Sequence, residues 1–182
     1  MKVKGYIIPI CNKILSMLET SLIQLSKKNK KIISNFIKTS QMLLINFYPK
    51  KTIDLVLSHG DFQPANIICS ENDFWIIDWE YSNYRSVFYD ALVFELKCRF
   101  PLGLSKRFEI KLRKLDNKNN YLNWTGQSLN YDKKYYYLIF FLEDLFLRMD
   151  EISTNLIENK SNSLSTYLNE IEKIQKILIK SI

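Results

Sequence analysis

Apolar residues recur at helical spacing through most of this chain, and the segment that breaks the rule is short and central. From about residue 10 to 26, Ile14, Leu18, Leu22 and Leu25 fall on one face of a helix. Ile32, Ile33, Phe36, Ile37, Leu43, Leu44 and Phe47 repeat the pattern, so the first 48 residues predict two amphipathic helices. The run Lys27, Lys28, Lys30 and Lys31 reads as the place where a helix ends and the turn between them begins. The period then changes. Leu55, Val56 and Leu57 lead into a polar loop, and two short β-like runs follow, Asn66 to Cys69 and Phe74 to Asp78. Ser70, Glu71, Asn72 and Asp73 between them predict a hairpin turn.

From about residue 86 the helical period returns, with Tyr89, Leu92, Val93 and Leu96 on one face. A loop rich in Asn, Lys and Gly is expected over roughly 114–131, then the most apolar helix, from about 133 to 151. Leu164, Leu168, Ile171 and Leu178 predict a last amphipathic helix. No internal repeat is visible. The expected class is α+β, mostly helical, a single domain over 1–182 with one small hairpin in its middle.

Composition narrows this further. The 182 residues suffice for a real core, and the four Gly and four Pro argue against an all-β sandwich. The formal charge of +7 is compatible with nucleic acid, an anionic membrane or a phosphate-rich ligand. No aromatic residues interleave with the lysine run, so the expected reading is a solvated lysine-rich surface with neither nucleic acid nor membrane as partner. Cys11, Cys69 and Cys98 are far apart without metal-ligand spacing, which predicts free thiols and a cytoplasmic location. The apolar start is broken at Pro9, Asn12 and Lys13, unlike a signal peptide. Tyr135 to Leu147 is too short to span a bilayer and contains Glu143 and Asp144, so it reads as a buried helix.

The chemistry concentrates in Ser58-His59-Gly60-Asp61-Phe62-Gln63-Pro64-Ala65-Asn66 and Trp75-Ile76-Ile77-Asp78-Trp79-Glu80. Phosphoryl transfer to a hydroxyl needs a carboxylate to orient the acceptor and take its proton. It also needs hard oxygen ligands for a divalent ion that neutralises the phosphates. Asp61, Asn66 and Asp78 supply such groups. Asp61 and Asn66 stand at the two ends of one loop, and the hairpin returns Asp78 beside it. The Asp-to-Asn interval equals that of the protein-kinase catalytic loop, with Asp78 in the place of the D-F-G aspartate.

This ordered set resembles the catalytic loop of the aminoglycoside phosphotransferase and choline kinase family, whose fold is shared with protein kinases. His59, Gly60, Asp61, Asn66, Ile77, Asp78, Trp79 and Glu80 match its H-G-D-x-x-x-x-N and I-D-W-E signatures, and Tyr89-Asp90-Ala91 resembles the next one. The match is best over 55–95. The resemblance implies that Asp61 is the catalytic base, that Asn66 and Asp78 bind Mg²⁺, and that His59 and Asp90 support the loop. ATP would be the co-substrate and a small-molecule hydroxyl the acceptor. Gly60 stands where protein kinases have arginine, which favours a small-molecule kinase. Trp75 and Trp79 are expected to be packing residues. Of Glu143, Asp144, Asp150 and Glu151, some could receive a cationic acceptor, but most are expected on a solvated helix face.

The resemblance also implies something missing. Family members carry a β-rich N-terminal lobe that holds the nucleotide, and no Gly-rich loop or strand-borne lysine precedes His59 here. The expected architecture is therefore a protein-kinase-like C-lobe with the N-lobe absent and no recognisable nucleotide-binding residues. Two functions follow from that: a truncated ATP-dependent phosphotransferase, or a non-catalytic module that docks a partner chain.

Overall fold

The structure is a computed structural model that describes residues 1–20, 25–48, 51–116, 133–154 and 160–181. Its helices are α1 (Val3–Glu19), α2 (Lys27–Asn46), α3 (Tyr89–Leu96), α4 (Leu104–Asp116), α5 (Lys133–Thr154) and α6 (Lys160–Ser181). The strands are β1 (Leu55–Ser58), β2 (Ile67–Cys69), β3 (Phe74–Ile76) and β4 (Asn83–Ser86). The result is a mostly helical α+β fold. The loop expected over 114–131 lies, beyond the end of α4, outside the described residues.

α1, α2, α5 and α6 pack on one another, and α4 lies against α6. Their apolar stripes meet in one core that includes Ile14, Phe36, Phe140, Leu168 and Ile171. Removing such side chains from water is the main favourable term in folding, so this bundle carries the stability. The first helix begins earlier than its periodicity suggests, at Val3, because Val3, Ile7 and Cys11 continue the buried face. The lysine run is not a turn. Ser26 caps α2 by accepting from the Asn29 amide at 3.1 Å, so all four lysines fall in the first turns of the helix.

The β segment is built differently. β1 pairs antiparallel with β4, Leu55 opposite Ser86 and Ser58 opposite Asn83. β2 pairs antiparallel with β3, Ile67 opposite Ile76 and Cys69 opposite Phe74. The chain leaves the first pair through residues 59–66 and returns to it through residues 77–82. Two loops joining the same pair of two-stranded sheets in opposite directions must run side by side.

Candidate active site

His59 joins those two loops. Its Nδ1 accepts the Asp61 amide at 3.2 Å, so the proton is on Nε2, which donates to the Ile77 carbonyl at 2.7 Å. Both ring nitrogens are thereby used inside the protein. The Ile77 amide in turn donates to the Asn66 carbonyl at 3.0 Å. Asp78, the next residue, is held between the start and the end of the first loop. It is exposed and sits at φ 64°, a left-handed conformation that Asp tolerates better than most residues.

Asp90, in the first turn of α3, fixes the entry to the loop. Its carboxylate accepts from Ser58 Oγ at 2.8 Å, the His59 amide at 2.7 Å and the Gly60 amide at 3.0 Å. Gly60 is required by geometry. Its φ is +87°, and a Cβ there would lie 2.3 Å from the Tyr81 carbonyl oxygen of the returning loop. No side chain of any kind fits where protein kinases carry arginine.

Asp61 has its two carboxylate oxygens held from different sides. Oδ2 accepts from Gln63 Nε2 at 2.9 Å and Asn66 Nδ2 at 3.0 Å. Oδ1 pairs with Arg99 Nε, and the same guanidinium donates to the Gly60 carbonyl and, at 3.2 Å, to Asp144 Oδ1. The Asn66 amide nitrogen also donates to the Asp61 carbonyl at 2.9 Å. Its Oδ1, a hard oxygen, is left for other use.

Arg99 has no counterpart in the sequence expectations, although its position is firmly built. It lies in the turn after α3, where Lys97 adopts φ 49° and ends the helix. Arg107 of α4 fastens that turn by donating to the carbonyls of Leu96, Leu102 and Phe100. From the other side, Arg148 of α5 donates to the Cys98 carbonyl at 2.6 Å. Burial opposes the Arg99 charge, but Asp144, Tyr89 and Asp61 push its pKa above the ordinary arginine value. Burial would likewise raise the Asp144 carboxyl, and the Arg148 and Arg99 guanidiniums overrule it, holding the pKa below the usual carboxylate range. A signal for these residues was present in the sequence. Among 26 basic residues only five are arginine, and Arg85, Arg99, Arg107 and Arg148 all make contacts that need a planar, delocalised cation.

Two expectations about helix α5 and the tryptophans are corrected. Glu143 and Asp144 are not on a solvated face; they are 3% and 0% exposed. Glu143 accepts from Tyr6 Oη, the Ser86 amide at 2.7 Å and Ser86 Oγ at 2.6 Å, so it ties α1 and β4 to α5. Three donors offset part of the cost of that burial. Trp75 is not a packing residue: it is 52% exposed on β3, because a two-stranded hairpin has no second layer to bury it. Trp79 is also largely exposed, but its ring centroid lies 4.7 Å from that of His59.

Beside Asp61 is a cavity of about 210 Å³ whose walls include Tyr81, Arg99, Arg148, Glu151 and Ser163. Tyr81 Oη donates to Glu151 Oε1 at 3.2 Å across it. Glu151 is thus the acidic residue of α5 that shares a cavity with Asp61. Among the described residues no group of three or more His, Cys, Asp or Glu is placed to hold a metal by itself. The three cysteines are free. No helix among the described residues is long and apolar enough to cross a membrane.

The family model described as choline/ethanolamine kinase matches residues 2–180. No curated protein and no solved structure matches the chain. With nearly all of its 182 residues inside that match, the chain belongs to the choline/ethanolamine kinase family, phosphotransferases that use ATP and act on an alcohol group.

Proposed function

We propose that this chain is the acceptor-side lobe of a small-alcohol phosphotransferase, with Asp61 as the base that takes the hydroxyl proton. The observation that carries the reading is the placement of Asp61. Its carboxylate lines a cavity, while Arg99, Gln63 and Asn66 fix its orientation from within the protein. An acceptor hydroxyl entering the cavity meets an oriented carboxylate, so little reorganisation remains at the moment of transfer. The proton moves from the hydroxyl to Asp61 as the oxygen attacks the γ-phosphorus of ATP and the β–γ bond breaks. Arg99 balances the Asp61 charge before the proton arrives. His59 and Asp90 keep the loop in shape.

The donor chemistry suits Mg²⁺, which prefers a few carboxylate or amide oxygens together with substrate phosphates. Asn66 Oδ1 and the Asp78 carboxylate are the groups on this chain that would hold it, and when bound it neutralises the phosphate oxygens. The cavity lining supports a cationic acceptor. Arg99 and Arg148 are balanced there by buried Asp144 and by Asp61, so Glu151 with Tyr81 offers a negative, partly aromatic wall to a cationic alcohol.

The nucleotide needs a second wall. No lysine lies on β1, β2, β3 or β4 among the described residues, and no Gly-rich loop covers the site. We therefore assign the fold to the protein-kinase-like C-lobe, with the phosphate-covering part outside these elements. The exposed Ile68, Phe74, Trp75 and Trp79 favour a second reading, a docking module without turnover.

One assay separates the two. The protein is incubated with Mg-ATP and choline or ethanolamine, and phosphorylated product is read by ³¹P NMR. Product that falls at least about 100-fold in Asp61→Ala supports the enzyme reading. Absence of product from the wild-type chain, together with no choline or ethanolamine binding by calorimetry, leaves the docking reading in its place.

A further inference from the structure

A groove of about 540 Å³ runs between α2 and α6, lined by Lys28, Lys31, Lys38 and Lys176 together with Ile32 and Ile179. It shares no lining residue with the cavity at Asp61. Its charge is one-sided. α2 contains five lysines and no carboxylate. Glu172 is the acidic residue on the wall, and it already pairs with Lys176 at 3.5 Å. Lys28 hydrogen-bonds to neutral Asn169 at 3.1 Å. Three lysine charges, of Lys28, Lys31 and Lys38, thus converge on one concavity whose one lining carboxylate is engaged by Lys176. A concave low-dielectric wall focuses such a field and concentrates anions.

What surrounds the groove selects among anionic partners. Neither an aromatic side chain nor an arginine lines it, so single-stranded nucleic acid would find no stacking platform and no bidentate phosphate fork. Ile179, on the wall, and Met42, on α2, are each about half exposed. Lysines that converge beside exposed apolar side chains on amphipathic helices have the composition of an anionic-lipid contact.

We propose that the groove between α2 and α6 is a docking site for an anionic phospholipid surface. A headgroup phosphate sits among Lys28, Lys31 and Lys38, and Ile179 enters the interface beside it. The expectation of a merely solvated lysine surface changes because α2 sets three lysines on the wall of a depression that α6 closes from the other side.

The test is co-sedimentation of the full chain with vesicles of phosphatidylcholine alone or with one-third phosphatidylserine. Binding to the phosphatidylserine vesicles only, weakened by added salt, is expected. The double variant Lys31→Gln/Lys38→Gln should lower the partition coefficient about 25-fold, at about fivefold per lysine. Lys4→Gln/Lys106→Gln removes the same charge from outside the groove and should change it less than about twofold. Four outcomes overturn the proposal: equal binding to both vesicles, no sedimentation with either, equal losses in the two variants, or binding of oligouridine but not vesicles. If the first variant loses helical circular dichroism, Lys38→Glu alone replaces it with the same outcomes.

Discussion

The helical bundle and the β segment solve opposite problems. In the bundle, Ile7, Phe36, Phe140, Leu168 and Ile174 are buried, and the elements stay together because apolar area leaves water. In the β segment, Leu57, Ile68, Phe74, Trp75 and Tyr84 face outward, and no second layer covers them among the described residues. Directional bonds hold that region instead: the three bonds to Asp90, the two to the His59 ring, and the guanidinium of Arg99. Apolar contact stabilises without specifying a sub-ångström position, whereas hydrogen bonds fix direction and distance. The part of the chain that fixes the Asp61 carboxylate is the part built from directional bonds.

That contrast can be broken in several places. The largest effect belongs in the bundle. Phe140→Ala should cost about 3–5 kcal/mol in chemical denaturation, because a fully buried ring leaves a cavity. A loss near 1 kcal/mol would mean that the bundle does not carry the stability.

Glu143 tests the joint between the regions. Burial raises its pKa from 4.5 to about 7, against the bonds from Ser86 and Tyr6 that lower it. The folded protein then holds this proton more tightly than the unfolded chain. Stability from this group is therefore full below pH 4.5 and lost as pH rises to about 7. The loss is on the order of 3 kcal/mol between those limits. Glu143→Gln should flatten the profile.

Gly60→Ala comes next, with a cost of about 1–3 kcal/mol from positive φ alone. Hydrogen exchange should quicken at Ser58–Asn66 while the helices keep their protection. Equal loss of protection throughout would join the two regions into one cooperative unit. The smallest change is Trp75→Ser, expected within about 0.5 kcal/mol of wild type because the ring rests in solvent. A larger loss would show that the hairpin is covered in solution.

The contrast also explains what could be read from the sequence. Periodicity found α2, α3, α5 and α6, since each buries a stripe. It missed α4, although Leu104, Phe108 and Leu112 recur every fourth residue and are buried. Lysines and arginines between them dilute that stripe. β4 was invisible because Asn83-Tyr84-Arg85-Ser86 has no apolar alternation; it is a strand through backbone pairing with β1. In the site, Asp61, Asn66 and Asp78 stand in one short stretch of sequence and could be singled out by spacing. Arg99 stands 38 positions from Asp61, and only the fold brings them together. The helix holding Glu143 and Asp144 reads as buried, but which of its acidic residues face inward is not legible, because hydropathy counts a carboxylate as polar whatever its partners.

α3 has a consequence beyond the residues it buries. Asp90 at its start takes the Gly60 amide, and Arg99, just past its end, takes the Gly60 carbonyl. One eight-residue helix thus works as a clamp, both jaws closed on the two faces of a single loop residue. Leu92 and Val93 anchor the body of the clamp in the core. The loop that carries Asp61 is thereby fastened to α3 at both ends of the helix.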